Sequence, residues 1–302
     1  MNDGALVSFL QSSVRLATPL AFAALGELVV ERGGVINIGL EGVIIAGAFG
    51  SLAISGVGGV IGGLAGAATA GVLVAAIFAL FVVTLRADQI ITGTAISMIA
   101  LGLTGALYDL EFGAAGAALR TPTFAPTPIP GLHSVPVIGP ALFDQPIITY
   151  ALYGIVPALA WWMSRSQSGL TLRAVGEHPE AAMGAGISPD RVRWWAILFG
   201  GLMGGVGGGS LVLAQVGTFS EGMSAGRGFI AIAIVALGRW RSLGVAGAAL
   251  LFGAASALQY LTQARNWNVP YQLSLALPFV VTLVALILFR GHAAAPAALG
   301  KR

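Results

Sequence analysis

Long apolar runs broken by a few polar stretches pattern this chain. A membrane-crossing helix takes about 20 mostly apolar residues. Nine stretches reach or approach that length: 14–30, 35–54, 58–84, 89–111, 146–163, 194–214, 226–238, 243–263 and 271–290. The stretch 226–238 is too short for a full crossing, which predicts a broken or re-entrant helix there. Residues 112–145, with TPTFAPTPIPGLHSVPVIGP near their centre, are rich in Pro and Gly and predict an ordered-turn or extended loop. Residues 164–194 carry Arg165, Arg173, Arg191 and Arg193 with Glu177, Glu180 and Asp190. Each charge at a bilayer centre costs about 2.5–3.5 kcal/mol, so this segment predicts an aqueous loop. The pattern is that of an all-α polytopic membrane helix bundle of about 8–10 spans, folded as a single transmembrane domain over 1–302.

Orientation follows from where the arginines fall. Short Arg-rich loops stay in the cytoplasm, which places 164–194 inside and suggests a docking surface for a partner. Alternation then puts Arg86, Arg239, Arg241, Arg290, Lys301 and Arg302 inside too. The segment 112–145 falls outside, as a connector or as a surface for an external partner. This topology places the N-terminus outside, and Arg15 fits poorly near the outer end of the first span. The opening MNDGALVSFL has no positive n-region and no small-residue cleavage site, so it reads as mature sequence.

Composition narrows the function. The chain is 57% hydrophobic and 9% charged, with a mean hydropathy of +0.89, as polytopic membrane proteins are. The net charge of +3 is spread too thinly for a nucleic-acid face. Cysteine is absent, which excludes disulfides and thiol chemistry. His133, His178 and His292 are scattered, with no metal-ligand spacing. A phosphate-binding GxxxxGK[ST] loop needs a Lys before Ser or Thr, and Lys301 is followed by Arg302. Neither GxSxG nor HExxH occurs, and Asp88 and Glu111 read as loop-edge charges. No enzyme is expected, and no cofactor in this chain.

Glycine is plentiful, at 44 residues, and much of it lies inside spans. Gly62 and Gly66 are four apart, as are Gly201, Gly205 and Gly209, with Gly200, Gly204 and Gly208 beside them. That spacing lines one helix face with small residues and lets backbones approach. It reads as packing, and also as a surface on which helices could slide.

Two polar constellations stand out. Glu31 to Gly42, ERGGVINIGLEG, lies at the expected inner junction of the first two spans. Asn37 and Glu41 are four apart and would share a helix face; with Glu27 they read either as interhelical hydrogen bonds or as the polar lining of a substrate path. Gln215 to Gly228, QVGTFSEGMSAGRG, faces outside on the same topology. There Glu221 and Arg227 could pair across a glycine-rich bend, as a re-entrant turn or an outer gate.

Four stretches, in order and spread from Arg15 to Trp240, resemble the membrane-spanning permease subunits of bacterial ABC importers, in the branch serving simple sugars, nucleosides and branched-chain amino acids. They are Arg15–Phe49, Leu85–Ser97 (LRADQIITGTAIS), Leu172–Trp194 (LRAVGEHPEAAMGAGISPDRVRW) and Leu213–Trp240. The wording AQVGTF and AGRGF is more similar to nucleoside than to ribose permeases. Asp88 departs from the Asn common at that position in the family.

The resemblance implies a coupling helix that seats on a separate cytoplasmic ATPase. Its residues here are Glu177, Pro179, Glu180, Ala181, Ala182 and Gly186; Pro179 would start it and Ser188-Pro189 would end it. ATP and Mg would belong to that ATPase. The other implied partners are a second permease chain, related but different, and an extracytoplasmic substrate-binding protein, at a bacterial plasma membrane. The substrate path is placed on Asn37, Glu41, Gln215, Phe219 and Glu221, with Phe219 suited either to stacking on a base or to packing. Alternating access would carry nucleosides inward, simple sugars next and branched-chain amino acids last. The alternatives are a proton-coupled secondary transporter working through Glu27, Glu41 or Glu221, and a channel or passive scaffold.

Overall fold

In lipid the backbone must bond to itself, so long apolar stretches become helices. The computed structural model describes residues 3–113, 121–264, 270–288 and 295–301. In order the elements are α1 (Asp3–Arg32), α2 (Leu40–Ala79) running into a π turn (Leu80–Thr84), α3 (Gln89–Phe112), β1 (Pro126–Pro128), α4 (Ile138–Phe143), β2 (Asp144–Pro146), α5 (Ile147–Arg165), α6 (Gln167–Glu177), α7 (Pro179–Gly184), α8 (Pro189–Leu211) running into a second π turn (Val212–Val216), α9 (Arg227–Leu237), α10 (Ser242–Ala264) and α11 (Tyr271–Leu288). The two short strands pair antiparallel, Thr127 opposite Gln145. Six described helical segments are long and apolar enough to cross a membrane: α1, α2, α3, α5, α8 and α10, with α2 and α8 counted through their π turns. The protein is an all-α, multi-pass membrane helix bundle.

The expected spans 35–54 and 58–84 emerge as the two arms of α2. Gly59 has φ 61° and ψ −157° inside that helix, a conformation open to glycine alone. A straight helix would hold Gly50 and Gly66 about 24 Å apart. Instead a Cβ on Gly50 would stand 2.6 Å from the carbonyl of Gly66, so the arms fold back on each other at Gly59. Residues 35–39, expected as helix, are irregular backbone. Helix α8 starts at Pro189, five residues before the expected span, because proline fits the first helical turn, where no N–H is needed. Residues 289–290 of the last expected span, Arg290 and Arg302, and 114–120 of the expected outer loop lie outside the described residues.

Glycine lets α8 run through the middle of the bundle. Gly200 and Gly204 face α1 and the first arm of α2: a Cβ would meet Val30 at Gly200, and Leu40 and Val43 at Gly204. Gly201 and Gly209 face the second arm, with Gly71 O 2.7 Å and Ala67 Cβ 2.5 Å from where their Cβ atoms would be. The four-residue spacing is therefore a packing device on two faces at once.

The described ends gather the cations at one pole. Arg32 donates to Trp240 O at 2.7 and 3.0 Å, Arg193 to Gly33 O at 3.3 Å, and Trp194 to Thr84 Oγ1 at 3.1 Å. Arg86, Arg193 and Lys301 line one cavity there. Residues 295–301 return to this pole, where Ala298 N bonds Gly176 O and Gly300 N bonds Gly34 O. The opposite pole holds α4 and the strand pair, with Gln11 donating to Asp144 O at 3.1 Å.

Candidate functional site

Two sites are built on this frame, one at the cationic pole and one inside the bundle. At the pole, α7 is a six-residue helix with Pro179 at its first position. Glu180, Ala181 and Met183 are exposed, while Ala182 is buried against the body. Gly186, at φ 79°, turns the chain after the helix, and Gly186 N and Ile187 N bond back to Met183 O and Ala182 O. This corrects one expectation: Ser188-Pro189 does not end α7 but opens α8. The helix stops at the glycine because a left-handed residue closes a helix end, whereas proline starts one. Glu177 ends α6, lies 4.0 Å from Arg32 and accepts from Ala297 N at 3.1 Å. The neighbouring cavity of about 670 Å³ carries mixed charge, with Glu180 and Asp190 beside Arg86, Arg193 and Lys301.

Inside the bundle, the two polar constellations assigned to opposite sides of the membrane meet. Leu40 packs on Gly204, which lies about 22 Å along α8 from Pro189. After α1 ends at the pole, residues 34–39 therefore climb back into the bundle, and α2 starts at depth. Helix α9 starts at the same depth. Glu41, 4% exposed, accepts from Gly226 N through Oε1 at 2.8 Å and from Gly228 N through Oε2 at 2.7 Å. A carboxylate on the N-terminus of α9 satisfies two orphan donors and meets the positive end of the helix dipole. Gly228 permits the contact, since a Cβ there would stand 2.6 Å from Glu41 Cα.

Asn37 and Glu41 do not share a helix face, because Asn37 precedes α2. Asn37 is fully buried; its backbone N–H donates to Glu27 Oε1 at 2.8 Å, and its carboxamide has no hydrogen-bond partner among the described residues. Glu31, one turn after Glu27, accepts from Trp240 Nε1 at 2.6 Å. The acids of α1 thus grip the two irregular segments beside it, 34–39 and the α9–α10 turn. Nor do Glu221 and Arg227 pair. Arg227 donates to the carbonyls of Met223 and Ser224, capping the bend that precedes its own helix, while Glu221 is exposed beside Gly105 of α3. Gln215 donates to Arg15 O at 2.8 Å and fastens the second π turn to α1.

Phe219 is 2% exposed. Phe49 meets it edge-on with centroids 5.6 Å apart, and Tyr108 lies 5.4 Å away and Phe112 5.5 Å beyond Tyr108. The half-buried rings of Phe49, Tyr108 and Phe112 offer the accessible aromatic surface, with Glu221 nearby. Sequence reasoning did not single out those three. Their signal was the i, i+4 pair Tyr108 and Phe112 on one helix face, which is also an ordinary packing pattern. It also read Asp88 as a loop-edge charge. Asp88 caps α3, accepting from Ile90 N and Ile91 N at 2.9 and 3.0 Å, a task Asn and Asp perform alike.

Comparison with known proteins agrees with this architecture. A family model described as branched-chain amino acid transport system / permease component matches residues 9–286. The guanosine ABC transporter permease protein NupQ of Bacillus subtilis is 37% identical, over 94% of this chain and 92% of its own. The nucleoside ABC transporter permease protein NupC of Lactococcus lactis is 35% identical over the same shares. The putative glucose ABC transporter permease protein TsgC13 of Haloferax volcanii is 35% identical, over 84% of this chain and 77% of its own. No solved structure matches the chain significantly.

Proposed function

Because the chain belongs to the family of permease components of branched-chain amino acid transport systems, we propose that it is the membrane-spanning subunit of an ATP-driven importer that moves nucleosides inward across a bacterial plasma membrane. The likeness of nearly the whole chain to permeases named for guanosine and for nucleosides carries the substrate class. The putative glucose permease makes simple sugars the next class.

Helix α7 supports the energy source. Its exposed Glu180, Ala181 and Met183 form a short knob on the cationic pole, suited to a groove on a separate ATPase that binds ATP and Mg. Displacement of that knob passes through Ser188-Pro189 into α8, whose glycines pack on α1 and both arms of α2. The ATPase biases the bundle to the extent that it contacts the inward- and outward-open states differently. In the bundle, the Glu41 bond to α9 holds the 217–228 bend against α3. Shifting that bend would open or close a path lined by Tyr108, Phe112, Glu221 and Phe49. A binding protein would deliver substrate at the opposite pole, and a second, related permease chain would supply the other wall.

The test is uptake of radiolabelled guanosine into proteoliposomes holding this chain with its co-purifying partners. Accumulation that requires internal ATP and survives a protonophore is expected. Accumulation that needs no ATP and collapses with the proton gradient would sink the reading.

A further inference from the structure

A second cavity at the cationic pole has a different character from the one beside α7. It measures about 710 Å³ and lies between the end of α5, α6 and the turn joining α9 to α10. Arg32, Arg173, Arg239 and Arg241 line it, and among the described residues no acid does. Just outside the lining, Glu31 holds Trp240 Nε1, and Glu177 accepts from Ala297 N and lies 4.0 Å from Arg32, so it offsets one of the four cations and leaves Arg173, Arg239 and Arg241. Arg173 Nε is buried without a hydrogen-bond partner among the described residues. The turn presenting Arg239 and Arg241 is held in shape. Arg239 and Trp240 both have positive φ, 58° and 51°, their N–H groups bond back to Ala236 and Val235, and Arg32 takes the Trp240 carbonyl. Such backbone is costly and persists where the surroundings impose it.

With Arg32 already beside Glu177, the three other guanidinium groups around the cavity repel one another unless an anion sits among them. The walls indicate which anion. Met163, Leu237 and Leu243 line the same cavity, and Leu243 is 68% exposed on the outer surface of α10. The cavity thus joins a cationic mouth to an apolar flank. It opens where two helices long and apolar enough to cross a membrane terminate, α5 at Arg165 and α10 at Ser242, which would set it at the depth of phospholipid headgroups. Arginine forks match phosphate oxygens in pairs, and basic pockets at helix ends hold anionic headgroups.

We propose that this cavity binds the phosphate headgroup of an anionic phospholipid, with its acyl chains lying along Leu237 and Leu243. The lipid would brace the α9–α10 turn against α5 and α6.

The test is native mass spectrometry of the full-length protein in neutral detergent, titrated with phosphatidylglycerol or with phosphatidylcholine of the same acyl chains. Wild type should bind phosphatidylglycerol at least about tenfold more tightly, from roughly 1 kcal/mol per cation near a headgroup. R239Q/R241Q should abolish that preference, while R191Q, outside the cavity, should keep it. Equal binding of the two lipids, a preference untouched by R239Q/R241Q, or displacement of the lipid by millimolar inorganic phosphate would each overturn the assignment. A photo-crosslinking residue at Leu243 gives a readout that leaves the arginines intact. In native membranes a phospholipid adduct is expected; an adduct to another polypeptide would assign the cavity to a protein partner instead.

Discussion

The Oε2 atom of Glu41 accepts a hydrogen bond from the backbone N–H of Gly228 at 2.7 Å, joining the first turns of α2 and α9 across 187 positions of sequence. Both turns start inside the bundle, where water cannot substitute for a missing partner. Removing the carboxylate strands the buried N–H of Gly228 and the part-buried N–H of Gly226, at up to about 1–3 kcal/mol each. E41A should therefore lower stability by about 2–4 kcal/mol, and E41Q, which keeps one acceptor oxygen, by roughly half that. Unfolding followed by the fluorescence of the six tryptophans checks this. An E41A protein as stable as wild type would show that the bond holds nothing.

Substitution in α8 should be intolerant in a position-specific way. A Cβ on Gly205 would press on the Ala67 carbonyl and stand 3.0 Å from Gly71 Cα. Backbone cannot step aside as a side-chain tip can, so G205L should cost more than the roughly 1–3 kcal/mol of ordinary overpacking. Gly102 on α3 has nothing within 4 Å of its Cβ position among the described residues, and G102L should be nearly neutral. Monodispersity after size-exclusion chromatography separates the two outcomes.

At the pole, G186V forces a β-branched residue into φ 79°, a strain of about 1–3 kcal/mol. The exit from α7 should distort while the bundle stays intact. ATP-dependent uptake and substrate-stimulated ATP hydrolysis should fall together in G186V and in E180A, with membrane insertion unchanged. Normal uptake in both variants would remove α7 from the coupling role.

Phe219 and Tyr108 should separate stability from transport. F219A empties a buried site and should cost about 3–5 kcal/mol. Tyr108 is half-buried, so Y108A should unfold close to wild type yet raise the half-saturating guanosine concentration. Equal effects on stability would mean that Tyr108 is packing only.

The spans were legible in the sequence because apolar length is a local pattern. The short helix at Pro179 came from the resemblance of Glu180-Ala181-Ala182 to a family segment, with Pro179 suited to its first turn. What escaped is long-range. Glu41 and Gly228 lie in stretches that positive-inside reasoning put on opposite sides, because counting arginines orders the helix ends along the membrane normal but does not reveal chain that turns back partway. The climb of residues 34–39 has no periodicity of its own; it is held by Glu27 and by contact with α3, where Ser97 bonds Ile38 O at 3.2 Å. Asn37 and Glu41 have the spacing of a helical pair, yet the helix begins only between them, at Leu40. The expected Glu221–Arg227 pair failed for a local reason: the carbonyls of Met223 and Ser224 are nearer partners for a guanidinium closing its own bend.

The fold at Gly59 bears on how the protein enters its membrane. The residues that turn there, from Ser55 to Gly59, carry no charge, and neither does any residue of the arms from Gly42 to Thr84. Bringing this turn across the bilayer during synthesis therefore takes no ionised group through the hydrocarbon. The arms can leave the translocation machinery together, already paired, as one inserting unit. Arg32 and Arg86 flank that unit, both at the cationic pole, and resist crossing, so two residues set the orientation of two helices at once.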